Sequence, residues 1–229
     1  IHIGHKLFQR EKAQGFLDYI LKTPDTYCIM LGDTIENVLS STAVKYPGAI
    51  HDQVMNGEAQ REEAYRMIKP LADKKKILAW TESNHSLRSW NAAGFSPEQW
   101  LADKLKVPFC GTDALLICKV GSQEYIIHAT HGTGASTSLP SVFGKLLAQV
   151  QRVEAANVYI RGHHHKKVLA DMVAIDAKTG ELRKKIIAAT GCFMGYLEGY
   201  GHKAGLTPVV PGAVKIKLYA KRWDIHGTL

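Results

Sequence analysis

The stretch Thr26-Tyr27-Cys28-Ile29-Met30-Leu31-Gly32-Asp33 (TYCIMLGD, residues 26–33) carries an apolar run that stops at a glycine and a carboxylate. From Tyr27 to Leu31 the apolar side chains are continuous rather than alternating, the pattern of a strand covered on both faces. The same design returns along the chain. KKILAW (75–80) runs into Glu82-Ser83-Asn84-His85, EYIIHAT (124–130) into His131, and NVYIR (157–161) into His163 and His165. Each strand is thus expected to end at a side chain able to bind a metal.

Between these strands the period changes. Phe16, Leu17, Ile20 and Leu21 have helical spacing within Glu11 to Lys22, and Thr23-Pro24-Asp25 stops the helix. Helices are also expected over 58–72, 97–105 and 141–153. ALLICKV (114–120) and EYIIHAT flank Gly121-Ser122, and 168–175 and 181–189 flank Ala177-Lys178-Thr179-Gly180, so two hairpins are expected. A late strand covers Ala213 to Ala220. Hairpins among β-α units predict an α/β sandwich with a mixed sheet.

The chain has 229 residues, of which 45% are hydrophobic, enough for one domain spanning 1–229. No apolar run approaches the roughly 20 residues that span a bilayer, and Ile1 to Arg10 does not read as a secretory signal. A cytoplasmic protein is expected, with residues missing upstream of Ile1. Four cysteines (Cys28, Cys110, Cys118, Cys192) form no CxxC pair, which argues against a zinc knuckle and for reduced, buried thiols. The net charge of +8 and pI of about 9.2 favour anionic partners such as nucleic acid or phosphate esters. Lys74-Lys75-Lys76 and Arg183-Lys184-Lys185 read as solvated edges.

In open α/β sheets the carboxyl ends of strands lie along one edge, so residues distant in sequence converge on one crevice. Asp33, Asn84, His85, His131, His163 and His165 are then brought together. One carboxylate, one amide oxygen and several imidazoles suit Mn²⁺, Fe or Zn²⁺ better than Ca²⁺ or Mg²⁺.

The segments IHIGH (1–5), GDTIEN (32–37), SNHS (83–86), THG (130–132) and GHHH (162–165) fall in order from His2 to His165. They resemble the DxH, GDxx(D/E), GNH(D/E), H and GHxH blocks of the calcineurin-like metallophosphoesterases. Residues 190–218 resemble the final strands of phage-type and bacterial members. The resemblance implies a four-layer α/β/β/α sandwich with mixed sheets and two divalent ions, Mn²⁺ foremost. It implies that His2, Asp33, His165 and an aspartate two residues before His2, absent from the sequence, hold one ion. Asp33 as a bridge, with Asn84, His131 and His163, would hold the other. A hydroxide between the ions would attack phosphorus in line, and His85 would protonate the leaving oxygen or stabilise the transition state.

Glu36 fills the acidic position of the second block, where it is expected to orient neighbouring groups, and Asn37 is expected to do likewise. His164 reads as the spacer between two ligands. Lys166 and Lys167 are expected beside the substrate, steering it electrostatically. His128 reads as a core histidine, His5 as either an active-site or a surface residue, and His51, His202 and His226 carry no spacing signal. The four tryptophans read as core or interface residues. In the third block, serine stands where the family has glycine (Ser83) and where it has a carboxylate (Ser86). Loss of that carboxylate predicts a lower His85 pKa, and Ser83 predicts strain if the turn needs positive φ.

The expected function is a dinuclear metal-dependent phosphoesterase, leaning to phosphodiesters such as nucleic acid. The alternatives are a phosphomonoesterase acting on a small metabolite, nucleotide or phosphoprotein, and a non-catalytic metal- or nucleic-acid-binding module, the last motivated by Ser83 and Ser86.

Overall fold

The structure, a computed structural model, describes residues 1–45, 48–134, 138–176, 179–197, 202, 208 and 210–229. The turn at Ala177-Lys178 and much of the closing segment (198–201, 203–207 and 209) lie outside the described residues.

The first part of the chain forms α1 (Arg10–Lys22), β1 (Cys28–Met30), the short α2 (Ser40–Lys45) and α3 (Ala49–Asp52), and α4 (Gly57–Asp73). Then come β2 (Ile77–Trp80), α5 (Asn84–Ala93) and α6 (Pro97–Leu105). The second part runs β3 (Asp113–Val120), β4 (Gln123–Thr130), α7 (Leu139–Arg152), β5 (Val158–Arg161), β6 (Lys167–Ile175), β7 (Leu182–Thr190), β8 (Lys215–Leu218) and β9 (Ile225–Thr228).

Among the described residues three sheets form. The largest has the order β3-β4-β5-β7-β6, with β4, β5 and β7 parallel and antiparallel hairpin partners at both edges. β1 pairs with β2 in parallel, and β8 with β9 antiparallel. The molecule is therefore mixed α/β, as the alternation of periods predicts.

Packing follows the apolar stripes. α1 buries Ala13, Leu17 and Ile20, spaced at i, i+4 and i+7, in one cluster with Ala64, Ile68 and Leu71 of α4 and Leu101 of α6. That cluster also takes in Met30, Ile77 and Trp80, so the helices cover the β1–β2 pair. α7 buries Val142 and Leu146 with Tyr159 and Ile187 on one face of the large sheet. On the other face, Tyr125, Ile127, Val158 and Ile186 pack with Ile225 of β9, and Ala79, Ala114 and Ala129 join β2 to β3 and β4.

Several expectations need correction. Asn84 and His85 do not prolong a strand but open α5, whose N-cap is Ser83; the Ser83 Oγ accepts the Ser86 N–H at 3.2 Å. Ser83 has φ −133°, so serine for glycine brings no backbone strain here. The four cysteines are free, as expected, but half-buried rather than buried. Lys76 is no solvated edge: its Nζ donates to the carbonyls of Ile20, Thr23 and Thr26 at 2.8, 2.6 and 3.1 Å, closing the C-terminal end of α1. Among the described residues, no helix is long and apolar enough to cross a membrane.

One buried acid positions the loop after β1. Glu98, 1% exposed in the first turn of α6, accepts from the Thr34 N–H at 2.9 Å, the Thr34 hydroxyl at 2.8 Å and the Trp80 indole N–H at 2.5 Å. Burial raises its pKa. Glu98→Ala leaves two buried N–H donors without acceptors, so urea unfolding should show a loss of about 3 kcal/mol. A loss below about 0.5 kcal/mol, the scale of an ordinary surface substitution, would contradict this role.

Candidate metal centre

The chain ends of four segments meet where the sheets place them. Asp33 follows β1, Asn84 and His85 start the helix after β2, His131 follows β4, and His163 and His165 follow β5. β1 and β2 are parallel, as are β4 and β5, so these residues leave their sheets in a common direction. His2 reaches the same place because Ile1 to Ile3 run alongside 33–35. The His2 N–H donates to the Asp33 carbonyl at 2.8 Å, the Ile3 N–H donates to the Thr34 carbonyl at 2.9 Å, and Ile3 bridges Ile35 in parallel.

Three groups of donor atoms result: His2, Asp33 and His165; Asp33, His131 and His163; and His2, Glu36 and His85, the atoms of each group lying within 4.8 Å of one another. Asp33 belongs to two of them. Its Oδ2 lies 3.6 Å from the His2 Nε2 and 3.3 Å from the His131 Nε2. Asn84 joins the second group, its Oδ1 lying 2.8 Å from the His131 Nε2 and 3.0 Å from the His163 Nδ1.

Tautomers explain why this cluster calls for positive charge. The His131 Nδ1–H donates to the Leu31 carbonyl at 2.6 Å, which leaves the Nε2 lone pair facing two oxygens. Lone pairs facing lone pairs repel unless a proton or a cation lies between them. Similarly, the His2 Nδ1–H donates to the Glu36 Oε2 at 2.9 Å, turning its Nε2 toward the His165 Nε2, 2.9 Å away. The Asp33 Oδ1 is buried and accepts no hydrogen bond. A buried carboxylate oxygen without a donor is costly unless a cation takes its place.

The backbone is also held in an uncommon conformation. His2, Asp33, Asn37, His163 and His165 have φ of 64°, 46°, 51°, 69° and 54°. Non-glycine residues rarely adopt the left-handed region, and each such residue costs on the order of 1–3 kcal/mol that the surroundings must offset.

The pKa shifts follow from burial and the shared carboxylate. Burial holds His2 and His165 well below the ordinary imidazole value, with Asp33 opposing, and it lowers His163. At His131 burial works the same way, but the hydrogen bond and charge of Asp33 overcome it and the net pKa is raised. Burial pushes Asp33 up, yet the surrounding imidazoles, His85 foremost, carry it well below the usual carboxylate range.

His85 has the lowered pKa expected of it, but for another reason: burial dominates, and Asp33 and Glu36 oppose it. The ring is held from a different element. The His85 Nδ1–H donates to the Glu36 carbonyl at 2.7 Å, with the Glu36 Oε2 at 3.9 Å. Asn37 completes the support, its Nδ2 donating to the His85 carbonyl at 2.6 Å and to the Ser89 Oγ at 2.9 Å. Glu36 and Asn37 thus orient their neighbours, and the Arg88 guanidinium adds a bond to the Glu36 carbonyl at 3.0 Å.

Other residues lie elsewhere than expected. His164 is no mere spacer: it is buried and accepts from the Arg161 Nε at 3.1 Å. Lys166 is buried, away from the exposed positions from which charge steers a substrate, and Lys167 is half-buried at the start of β6. His128 lies in the core against Gln149 and Asp113, as expected, and His5 is buried, its Nδ1 accepting the Leu7 N–H. His51, His202 and His226 are exposed. Trp80 is fully buried and Trp223 stacks on Tyr125, whereas Trp90 is exposed. Sequence reasoning missed Glu98 and Arg88, since nothing local marks a first-turn glutamate or a mid-helix arginine as facing inward.

No protein-family model matches the chain, and no curated protein matches it in sequence.

In metal-free protein the shifts set a pH dependence. Burial holds His2, His163 and His165 below the ordinary 6.5 and His164 at about 3, so the unfolded chain takes up protons that the folded chain refuses. Their stability contribution is full above about 6.5 and is lost as pH falls. His131 runs the other way, contributing below its unfolded pKa and losing that contribution as pH rises through the folded value. The depressed group outweighs it, so thermal melts in a chelator should show Tm falling between about pH 7.5 and pH 5.5. A flat or rising Tm would contradict the burial of these rings.

Proposed function

We propose that the chain is a dinuclear metal-dependent phosphoesterase. The observation that carries the reading is the sharing of Asp33 between two ligand groups, with a buried Oδ1 that accepts no hydrogen bond. His2, Asp33 and His165 would hold one ion; Asp33, Asn84, His131 and His163 the other. The mixed donor set fits Mn²⁺, Fe or Zn²⁺. When bound, two such ions would supply Lewis acidity toward phosphoryl oxygens and lower the pKa of bound water.

The remaining chemistry belongs to the chain. Glu36 and the Leu31 carbonyl fix the tautomers of His2 and His131, so the ligand nitrogens face inward before anything binds. The Glu36 carbonyl holds the His85 Nδ1–H, which leaves Nε2 as the end that, once it has taken up a proton, would protonate the leaving oxygen or stabilise the transition state.

The packing supports the four-layer α/β/β/α arrangement within one domain: α1, α4 and α6 over β1–β2, then the five-stranded sheet, then α7. The net charge of +8 favours phosphodiesters, nucleic acid among them, over small monoesters. Four free cysteines suit a reducing cytoplasmic setting. The capping of α5 by Ser83 through Ser86 and the hold of the Glu36 carbonyl on His85 support the catalytic reading over the non-catalytic alternative.

Hydrolysis of bis-p-nitrophenyl phosphate with Mn²⁺ tests the proposal. Asp33→Asn should abolish turnover and metal retention together, whereas His85→Ala should keep the metal and lower kcat about 10²- to 10⁴-fold. Full turnover by Asp33→Asn would overturn the assignment, and preference for p-nitrophenyl phosphate would redirect it to monoesters.

A further inference from the structure

The large sheet has two edge strands, β3 and β6, and they are built differently. β6 carries Asp171 at its centre, a charge of the kind that keeps an exposed edge from pairing with another chain. β3 carries no charge from Ala114 to Cys118 and no proline or glycine, and it pairs with β4 without a bulge from Asp113↔Thr130 to Val120↔Gln123. Among the described residues β4 is its only strand partner. Leu115 and Ile117, 58% and 65% exposed, stand on this edge strand. An apolar edge without any of these blunting devices is a template for another strand.

The pattern of β3 names that strand. Gly121-Ser122 joins β3 to β4 as a two-residue turn, so Val120 and Gln123 exchange hydrogen bonds, and every second residue back from Val120 turns its N–H and C=O toward β4. The backbone groups of Asp113, Leu115, Ile117 and Lys119 therefore point out from the free edge. Their side chains share one face of the sheet.

We propose that this edge is the seam of a homodimer, in which β3 pairs antiparallel with β3 of a second copy about a twofold axis at Leu116, joining two five-stranded sheets into one. In that register Asp113 stands opposite the partner's Lys119, and Leu115 opposite the partner's Ile117. Each residue with outward backbone groups thus meets another such residue. Shifting the axis by one residue in either direction sets a charge against an apolar side chain, so one register is selected. Charges alternate across the seam. Arg152 holds Asp113 at 2.8 and 3.0 Å, and Lys119 faces Glu124 in the ladder, so the row reads Arg152, Asp113, the partner's Lys119, the partner's Glu124. A reciprocal order of this kind is what a second copy supplies by symmetry, and it favours that occupant over an unrelated peptide. The inference stands independently of the metal reading.

Sedimentation equilibrium of the 229-residue chain, from about 1 µM to about 200 µM, tests the proposal. The chain should form a concentration-dependent dimer. Ile117→Lys, a change at an exposed side chain, should be monomeric over the same range with unchanged far-UV circular dichroism. Lys119→Glu sets like charges opposite each other at both ends of the seam and should weaken association about tenfold. Leu116→Cys should place two thiols across the axis in a non-hydrogen-bonded pair, where Cα atoms lie about 4.5 Å apart, so mild oxidation should give a dimer linked through residue 116. A monomer at every concentration, or a dimer that survives Ile117→Lys, would overturn the proposal. Should Ile117→Lys not fold, the disulfide decides: absence of a 116-to-116 link after oxidation would count against the seam.

Discussion

Asp33 is 5% exposed, with His2 on one side and His131 on the other, and a carboxylate so far from water has to be compensated. Much of the surrounding architecture serves that need. The parallel ladder from Ile1 to Ile3 brings His2 to it, β4 and β5 deliver three histidines, and Glu98 holds Thr34 so that the preceding residue keeps its left-handed backbone. The compensation is incomplete without added positive charge, since one carboxylate oxygen accepts nothing.

The convergence of Asp33, Asn84, His131, His163 and His165 was legible because topology does what sequence separation hides. An unbroken apolar strand ending in Gly-Asp, or running into a histidine, points to the carboxyl edge of a sheet, and parallel pairing carries those ends to one place. The amphipathic helices were equally readable, since α1, α6 and α7 bury the stripes their spacing predicts. The hairpins were too, yet the position of β7 between β5 and β6 was not, because order within a sheet depends on long-range packing.

What stayed hidden was hidden for definite reasons. α5 carries few apolar residues and leaves Leu87 and Trp90 exposed, so its period is weak; the Ser83 cap is the signal that would have found it. Glu98 sits where first-turn acids are usually solvated, and only its partners make it interior. The support of His85 comes from the Glu36 carbonyl, 49 residues away in sequence, and is invisible to a reading that looks only at Ser86. Lys166 and His164 share a loop whose burial comes from the fold rather than from local composition.

The central claim is that Asp33 is shared by two cations, and anomalous diffraction tests it most directly. Crystals grown with Mn²⁺ should show two peaks, one bounded by His2, Asp33 and His165 and the other by Asp33, Asn84, His131 and His163. No peak beside Asp33, or peaks only elsewhere on the surface, would contradict the account.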